Sequence, residues 1–377
     1  MTPGGQPARL VALRWRPFRL PLRHRFESAH AIVEARSGVL IELRGADGTT
    51  GIGEASPTPS LGDGTVADVL RLLGEHASAI LSAPKDVLRT LAQGPGAAAL
   101  RCALDTALLD LEGQRRGVPV ARLLAEQPAA SVEVNAVVGG GTDVEAVAFA
   151  REAVAAGYRV LKLKVGSWNL DADVARVEAV RRACPEVTIR LDANGAWTEA
   201  KARVALETMA PLRIELIEQP VRTSAVRALG RLRRMRLMRV AADEAVADPL
   251  TVARVFEADA VDLVVLKPMR LGGLRASIEV AHRAAERGMA SFVTTTFDSS
   301  IGTAAALHLA AALPGGRPAD GLSTGEHLAD DLVMQPLVPE RGRRAVPSTP
   351  GLGVTVDGAA VERLATGPWA EVEARRR

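Results

Sequence analysis

Short apolar runs rich in Val, Ile and Leu recur through the middle of the chain, and each ends on a charged residue. The runs YRVLKLK, VTIRLD, RIELIE, RVAAD and VDLVVLK close on Lys164, Asp192, Glu218, Asp243 and Lys267. Near-continuous apolarity over so few residues predicts strands buried on both faces, as in a parallel sheet. The closing residues stand 28, 26, 25 and 24 positions apart, close to the length of one strand–helix unit. A first strand precedes them in SVEVNAVVG, whose helix opens with the capping box Thr142-x-x-Glu145. ASFVTTT and ADGLSTG supply a seventh and an eighth. Eight such units predict a closed barrel rather than an open dinucleotide-binding sheet, and no GxGxxG follows any of the strands.

The flanks follow other periods. Residues 8 to about 62 alternate as an antiparallel meander, with Asp47-Gly48 as a hairpin signal. From about 65 to 125 the pattern is helical and rich in Ala and Leu, broken at Gly94-Pro95-Gly96 and Gly117-Val118-Pro119. The tail returns to turns and a short strand, PGLGVTVD. The expected fold is therefore α/β: a TIM-like (β/α)7β barrel over 129–334, with an α+β capping domain over 1–128 to which the segment 335–377 returns.

Composition narrows the function. Of 377 residues 47% are hydrophobic, enough for one large barrel core and a smaller domain. Lys and Arg number 47 against 44 Asp and Glu, and aromatics are only 3%, which disfavours a nucleic-acid partner that needs a basic face with stacking rings. Cys102 and Cys184 lack CxxC spacing, so neither a disulfide scaffold nor a zinc site is expected. No run of about 18 apolar residues and no leader-like segment occurs, so a cytoplasmic location without a membrane partner is expected.

In a barrel of parallel strands the C-terminal ends converge on one mouth. Asp192, Glu218 and Asp243 would bring only oxygen ligands there, which suits a hard cation such as Mg2+, with Mn2+ as a substitute. Three acids ending three successive strands are a poor match for isolated rim salt bridges. Lys162 and Lys164 share one face of their strand, and a neighbouring cation would lower the pKa of Lys164 towards that of a usable base. Arg190 and Asn194 flank Asp192 at two-residue spacing and are expected at the mouth. Thr294 and Ser299 are candidate hydrogen-bond donors to a substrate. The loop from Leu22 to His30, with Ala55 to Leu61 beside it, is the candidate lid, and His24, Arg25 and His30 are candidate contacts for a carboxylate.

Taken in order, Gly51-Ile52-Gly53-Glu54, Lys162-x-Lys164, Leu191-Asp192-Ala193-Asn194, Ile217-Glu218-Gln219-Pro220, Asp243-Glu244 and Lys267-Pro268 resemble the enolase superfamily, specifically its muconate-lactonizing-enzyme subgroup. The similarity spans almost the whole chain. It implies Asp192, Glu218 and Asp243 as magnesium ligands and Lys164 and Lys267 as the catalytic pair acting on a small-molecule carboxylate substrate, around which Lys162, Arg190, Asn194, Thr294 and Ser299 are the expected contacts. A homo-oligomer is compatible with it. The seventh strand lacks the His of the mandelate-racemase-like branch, and Ser323-Thr324-Gly325 replaces the Asp-x-Asp with which dipeptide epimerases hold an ammonium group. The stretches 266–273 and 294–302 are most similar to the o-succinylbenzoate synthase family, which implies a syn-dehydration. Racemisation of N-acylated amino acids, dipeptide epimerisation and muconate cycloisomerisation are the alternatives on the same scaffold.

Overall fold

The computed structural model describes residues 9–27, 32–139, 141–167 and 169–374. Its first part contains strands β1 (Leu10–Glu27), β2 (Ile32–Gly45) and β3 (Thr50–Ala55), then helices α1 (Val66–Ser82), α2 (Pro84–Thr90), α3 (Ala97–Arg116) and α4 (Val120–Leu124). The expected hairpin joins β2 to β3: Gly48 takes φ +85° and the Asp47 carboxylate accepts the Thr49 amide at 3.1 Å. Pro84 divides the helical stretch once more than the two glycine-containing breaks predict, because a proline starts a helix far more readily than it continues one. Leu13, Val39, Ile41 and Leu43 of the sheet pack on Leu73, Ile80, Leu100 and Leu104 of the helices to form the core of this cap. Glycine in Gly51-Ile52-Gly53 permits that contact. A Cβ on Gly51 would come 2.1 Å from the Ala107 carbonyl oxygen, and one on Gly53 2.0 Å from that of Ala103.

The barrel follows as β4 (Ser131–Glu133), β5 (Ala136–Val138), α5 (Asp143–Ala155), β6 (Val160–Lys164), α6 (Leu170–Ala183), β7 (Thr188–Asp192), α7 (Glu199–Met209), β8 (Ile214–Glu218), α8 (Val226–Arg234), β9 (Arg239–Ala242), α9 (Pro249–Glu257), β10 (Leu263–Leu266), α10 (Pro268–Leu271), α11 (Leu274–Ala285), β11 (Ala290–Val293) and α12 (Ser300–Ala312). The Thr142–Glu145 capping box opens α5 as predicted. Strands β5 to β11 form one parallel sheet in sequence order. The predicted eighth strand closes the ring through isolated bridges, Val134 to Asp320 and Thr294 to Gly321, rather than as a full strand. The tail carries β12 (Arg343–Ala345), which pairs with β4, then α13 (Gly358–Leu364) and β13 (Ala370–Glu373), which adds to the cap sheet beside β1. No helix among the described residues is long and apolar enough to cross a membrane.

Period-two alternation arranges the inward side chains in layers. One layer holds Leu216, Ala241, Val265 and Phe292, and the next one up holds Glu218, Asp243, Lys267 and Thr294. Arg190 belongs to the lower layer. It therefore points inward, as its spacing from Asp192 requires, but at the wrong height to reach the mouth. Only 2% exposed, it donates to Glu215 and to the Ala319 carbonyl, both at 2.5 Å, and its guanidinium lies 5.3 Å from the Phe292 ring centre. It plugs the barrel floor and is not a substrate contact.

Two stability predictions follow from buried charge and near-charge. Replacing Arg190 by Met removes one of the two arginines that hold Glu215, which keeps Arg239 at 2.7 Å, and takes a buried donor from the Ala319 carbonyl, which should cost about 1–3 kcal/mol in urea unfolding. The KM for substrate should not change. His308, fully buried on α12, accepts the Ala121 amide at Nδ1 (3.2 Å) and faces the Leu352 carbonyl at Nε2 (3.1 Å), so Nε2 carries the hydrogen. Burial pushes its pKa down from 6.5 to about 4. Below pH 6.5 the unfolded chain takes up a proton that the folded chain refuses until about pH 4. Stability should therefore fall on acidification through that window by about 1.4 kcal/mol per pH unit. Urea midpoints measured across the window should lose this slope in His308→Asn.

Candidate active site

The mouth of the barrel is a cavity of about 940 Å3. Its floor and walls include Asn135, Lys162, Lys164, Asp192, Asn194, Asp243, Glu244, Lys267 and Thr294 to Phe297, and the cap covers it with Arg19, Val33 to Ser37 and Pro57 to Leu61. The sheet order places the strand-end charges around the ring as lysine, aspartate, glutamate, aspartate, lysine on β6 to β10. Register fixes their height: Lys164 pairs with Asp192, and Asp192 with Glu218.

Lysine ammonium groups engage all three acids. Lys162 starts one layer below, yet its long stem carries Nζ up to 2.8 Å from both Glu218 oxygens and 2.9 Å from Asp192 Oδ2. Lys164 Nζ lies 2.6 Å from the same Asp192 oxygen and 3.0 Å from Asn194 Oδ1. Lys267 Nζ is 2.6 Å from Asp243 Oδ1. Lys162 and Lys164 do share a face, with a carboxylate oxygen between their ammonium groups.

Asp192, Glu218 and Asp243 are each at most 2% exposed. Burial opposes their ionisation, but Lys162 and Lys164 hold Asp192 well below the usual carboxylate range, and Lys267 and Lys162 lower the pKa of Asp243. Glu218 stands out. Burial, followed by the neighbouring Asp192 charge, pushes its pKa up to about 8. In Lys162, burial is overcome by Asp192, Glu218 and Asp243, which raise its pKa above the ordinary value. Lys267 is raised likewise by Asp243 and Glu244 against its own burial.

Among the described residues no cluster of acidic, His and Cys side chains is closed into a ready-formed metal cage, because the lysines hold the carboxylates. The donor set nevertheless fits a hard cation. The Lys162 ammonium stands in for one, held at 2.8–2.9 Å by oxygens of two carboxylates from adjacent strands. Glu218 is raised by its burial first and by the Asp192 and Asp243 charges next, and a further positive charge beside it would favour its ionised form.

The turns that carry these groups are fastened to one another. Asn194 and Gln219, directly beyond β7 and β8, take φ +44° and +38°. The Gln219 side chain accepts the amides of Asp243 (3.1 Å) and Ala245 (3.2 Å) and donates to the Val221 carbonyl (2.8 Å), so it fixes the turn of the third acid. Asp105 of α3 accepts the Leu274 and Arg275 amides at 2.8 and 3.1 Å and anchors the Lys267 turn. Gly273 permits the approach: its φ is +124°, and a Cβ there would lie 2.6 Å from the Asp105 carboxylate. Sequence reading missed Asp105. A buried acid within an apolar helix face was its one available signal.

The remaining candidates divide. Asn194 lines the mouth and donates to Glu244 at 2.9 Å, and Thr294 lines it with no hydrogen-bond partner for its hydroxyl. Asn135, also missed, lines it with both amide atoms unpartnered. Ser299 does not reach the mouth. It is fully buried, caps α12 through the Ile301 amide and donates to Glu54 of the cap, so it joins the two domains. His24 and Arg25 are exposed and do not line the cavity, whereas Leu22 bridges to Leu328; His30 lies outside the described residues.

Comparison with known proteins agrees with this geometry. Residues 145–360 match the enolase C-terminal domain-like family, and residues 12–125 match the N-terminal domain of mandelate racemase and muconate lactonizing enzyme. Muconate cycloisomerase 1-2 of Acinetobacter lwoffii is 30% identical over 346 residues, 89% of each chain. Muconate lactonizing enzyme from Pseudomonas fluorescens, solved with muconolactone, superposes with a TM-score of 0.89 at 25% identity, covering 96% of this chain and 100% of the other. Dipeptide epimerase from Enterococcus faecalis, solved with Mg and L-Leu-L-Tyr, gives 0.85 at 26% identity over 92% and 99%. The chain thus belongs to the muconate-lactonizing-enzyme subgroup of the enolase superfamily.

Proposed function

We propose that the protein removes the proton α to a substrate carboxylate, and that its reaction is the syn-dehydration of 2-succinyl-6-hydroxy-2,4-cyclohexadiene-1-carboxylate to o-succinylbenzoate, a step of menaquinone biosynthesis. One observation carries the proton-transfer reading: Lys164 and Lys267 end β6 and β10, with three strand-end carboxylates on the strands between them. A substrate carboxylate directed at the acids presents its α-carbon between two ammonium-bearing side chains. Lys164 as the neutral amine takes the α-proton, and as the ammonium so formed it passes that proton to the departing hydroxyl, so a C–H and a C–O bond break and water leaves. Lys267 places a cation against the opposite face of the ring. Asp192, Glu218 and Asp243 would hold Mg2+, which when bound supplies fixed positive charge against the carboxylate oxygens. Members of this superfamily use that ion, and one neighbour contains it.

Support for a substrate without an ammonium group comes from the far wall. Thr294, Thr295, Thr296, Phe297 and Thr324 are neutral, while exposed Arg19 lies under the cap, where a distal carboxylate would reach. Muconate cycloisomerisation is the second reading, favoured by the cycloisomerase relative and equally suited to a dicarboxylate. Incubating purified protein with each substrate separates them. Formation of o-succinylbenzoate supports the first reading, and muconolactone from cis,cis-muconate without it replaces the first by the second.

Chelation should abolish turnover, and added Mg2+ should restore it. Asp192→Asn and Glu218→Gln each remove a charged oxygen ligand, so both should lose Mg2+ binding by calorimetry and lower kcat by orders of magnitude while thermal unfolding stays cooperative. Full activity in EDTA would reject the metal assignment.

Lys164→Ala should reduce dehydration by about 10²–10⁴-fold or more, because general-base catalysis is worth that much. Lys267→Arg keeps a cation and should retain a measurable fraction of the rate. Comparable rates for Lys164→Ala and the parent would show that another group is the base.

A further inference from the structure

Behind the acid-bearing turns lies a second groove, of about 1150 Å3, walled by the starts of α7 and α8 and by one face of α9. It has no part in the chemistry above. Its walls are rich in arginine, and the pairing is incomplete. Arg231 is bound to Glu199 by two hydrogen bonds of 2.6 Å. Arg222, Arg227 and Arg254 form no ion pair among the described residues, and Glu257 is the one other acid in the wall. All three arginines are exposed, so their guanidinium groups are free to turn towards a ligand.

Two further features point the same way. Helix α8, nine residues long, opens into the groove at Ala225 with no side chain capping its first turn. The Ala225 and Ala228 amides already donate to the Arg222 and Ala225 carbonyls, which leaves the Val226 and Arg227 amides and the positive end of the dipole for an anion. Trp197 forms part of the wall, is only 3% exposed, and has an indole N–H with no acceptor. A buried donor without a partner is costly and is normally satisfied.

We propose that this groove binds a phosphorylated small molecule, its phosphate held at the start of α8 by Arg222 and Arg227 with Arg254 opposite. Guanidinium forks and helix amides match the several oxygens of a phosphate better than the two of a carboxylate. The groove exceeds the size of inorganic phosphate, which leaves room for the rest of such a molecule. Its back wall communicates with the active site. The Gly195 amide donates to the Gln219 carbonyl at 2.7 Å and the Trp197 amide to the Pro220 carbonyl at 3.2 Å, in the turns that follow Asp192 and Glu218. Occupancy would bear directly on how those two acids are held.

Inorganic pyrophosphate is the probe, titrated at constant ionic strength by calorimetry and by tryptophan emission. Saturable binding of one equivalent is expected, weakened about tenfold or more in the double variant Arg222→Gln, Arg227→Gln, since charge-assisted hydrogen bonds are lost. Trp197→Phe should remove the emission change; if it fails to fold, the arginine variant alone decides, because its side chains are exposed. Heats that do not saturate would overturn the proposal as general charge screening. So would binding unchanged in the arginine variant, binding abolished instead by Lys267→Met, which would place the anion in the barrel mouth, or binding of a duplex oligonucleotide without binding of pyrophosphate.

Discussion

Everything at the barrel mouth depends on three carboxylates held side by side where water is scarce. Asp192, Glu218 and Asp243 are almost fully buried, and charge in such surroundings persists only beside opposite charge. The lysines provide it for Asp192 and Asp243, whereas burial and those two neighbouring charges raise the pKa of Glu218. A site built for stability alone would have used apolar side chains of similar volume. The gain from a further positive charge beside Glu218 is what suits the mouth to a cation and to the carboxylate that accompanies it.

Holding those charges at one height requires strain elsewhere. Non-glycine residues with positive φ follow two of the acids, and Gln219 spends its whole amide on neighbouring backbone. The cap contributes from outside the barrel: Asp105 secures the Lys267 turn, while Glu54 accepts the hydroxyls of Ser56 and Ser299 and the amide of Gly302. Arg36 binds the carbonyls of Ser56 and Pro57 and so steadies the segment that covers the mouth. Cap and barrel are thus one device for fixing a few charged atoms.

Much of this was legible in the chain because the strand period and the side-chain period agree. Apolar runs ending in Lys164, Asp192, Glu218, Asp243 and Lys267 can hardly be read except as a ring of strands with a charged rim. Arg190 shows where such reading stops. Spacing of two fixes the face and says nothing of depth, and a long side chain chooses its own direction: Lys162 climbs, whereas Arg190, its register partner, turns down. Ser299 failed for a different reason, since a serine ahead of a helix is as well explained by capping. Asp105 and Asn135 were hidden because their significance lies in contacts across the fold.

The seam between β11 and β5 has a consequence for descent. The acid wall is a continuous ladder of parallel strands, while the opposite wall is joined by single bridges at Asp320 and Gly321. Thr295, Thr296, Ser323 and Thr324 on that looser side stand outside the ladder that aligns the charges. Lineages sharing one proton-abstracting centre could therefore diverge in what they accept by drifting along the seam, with inheritance of the chemistry and of the specificity largely uncoupled.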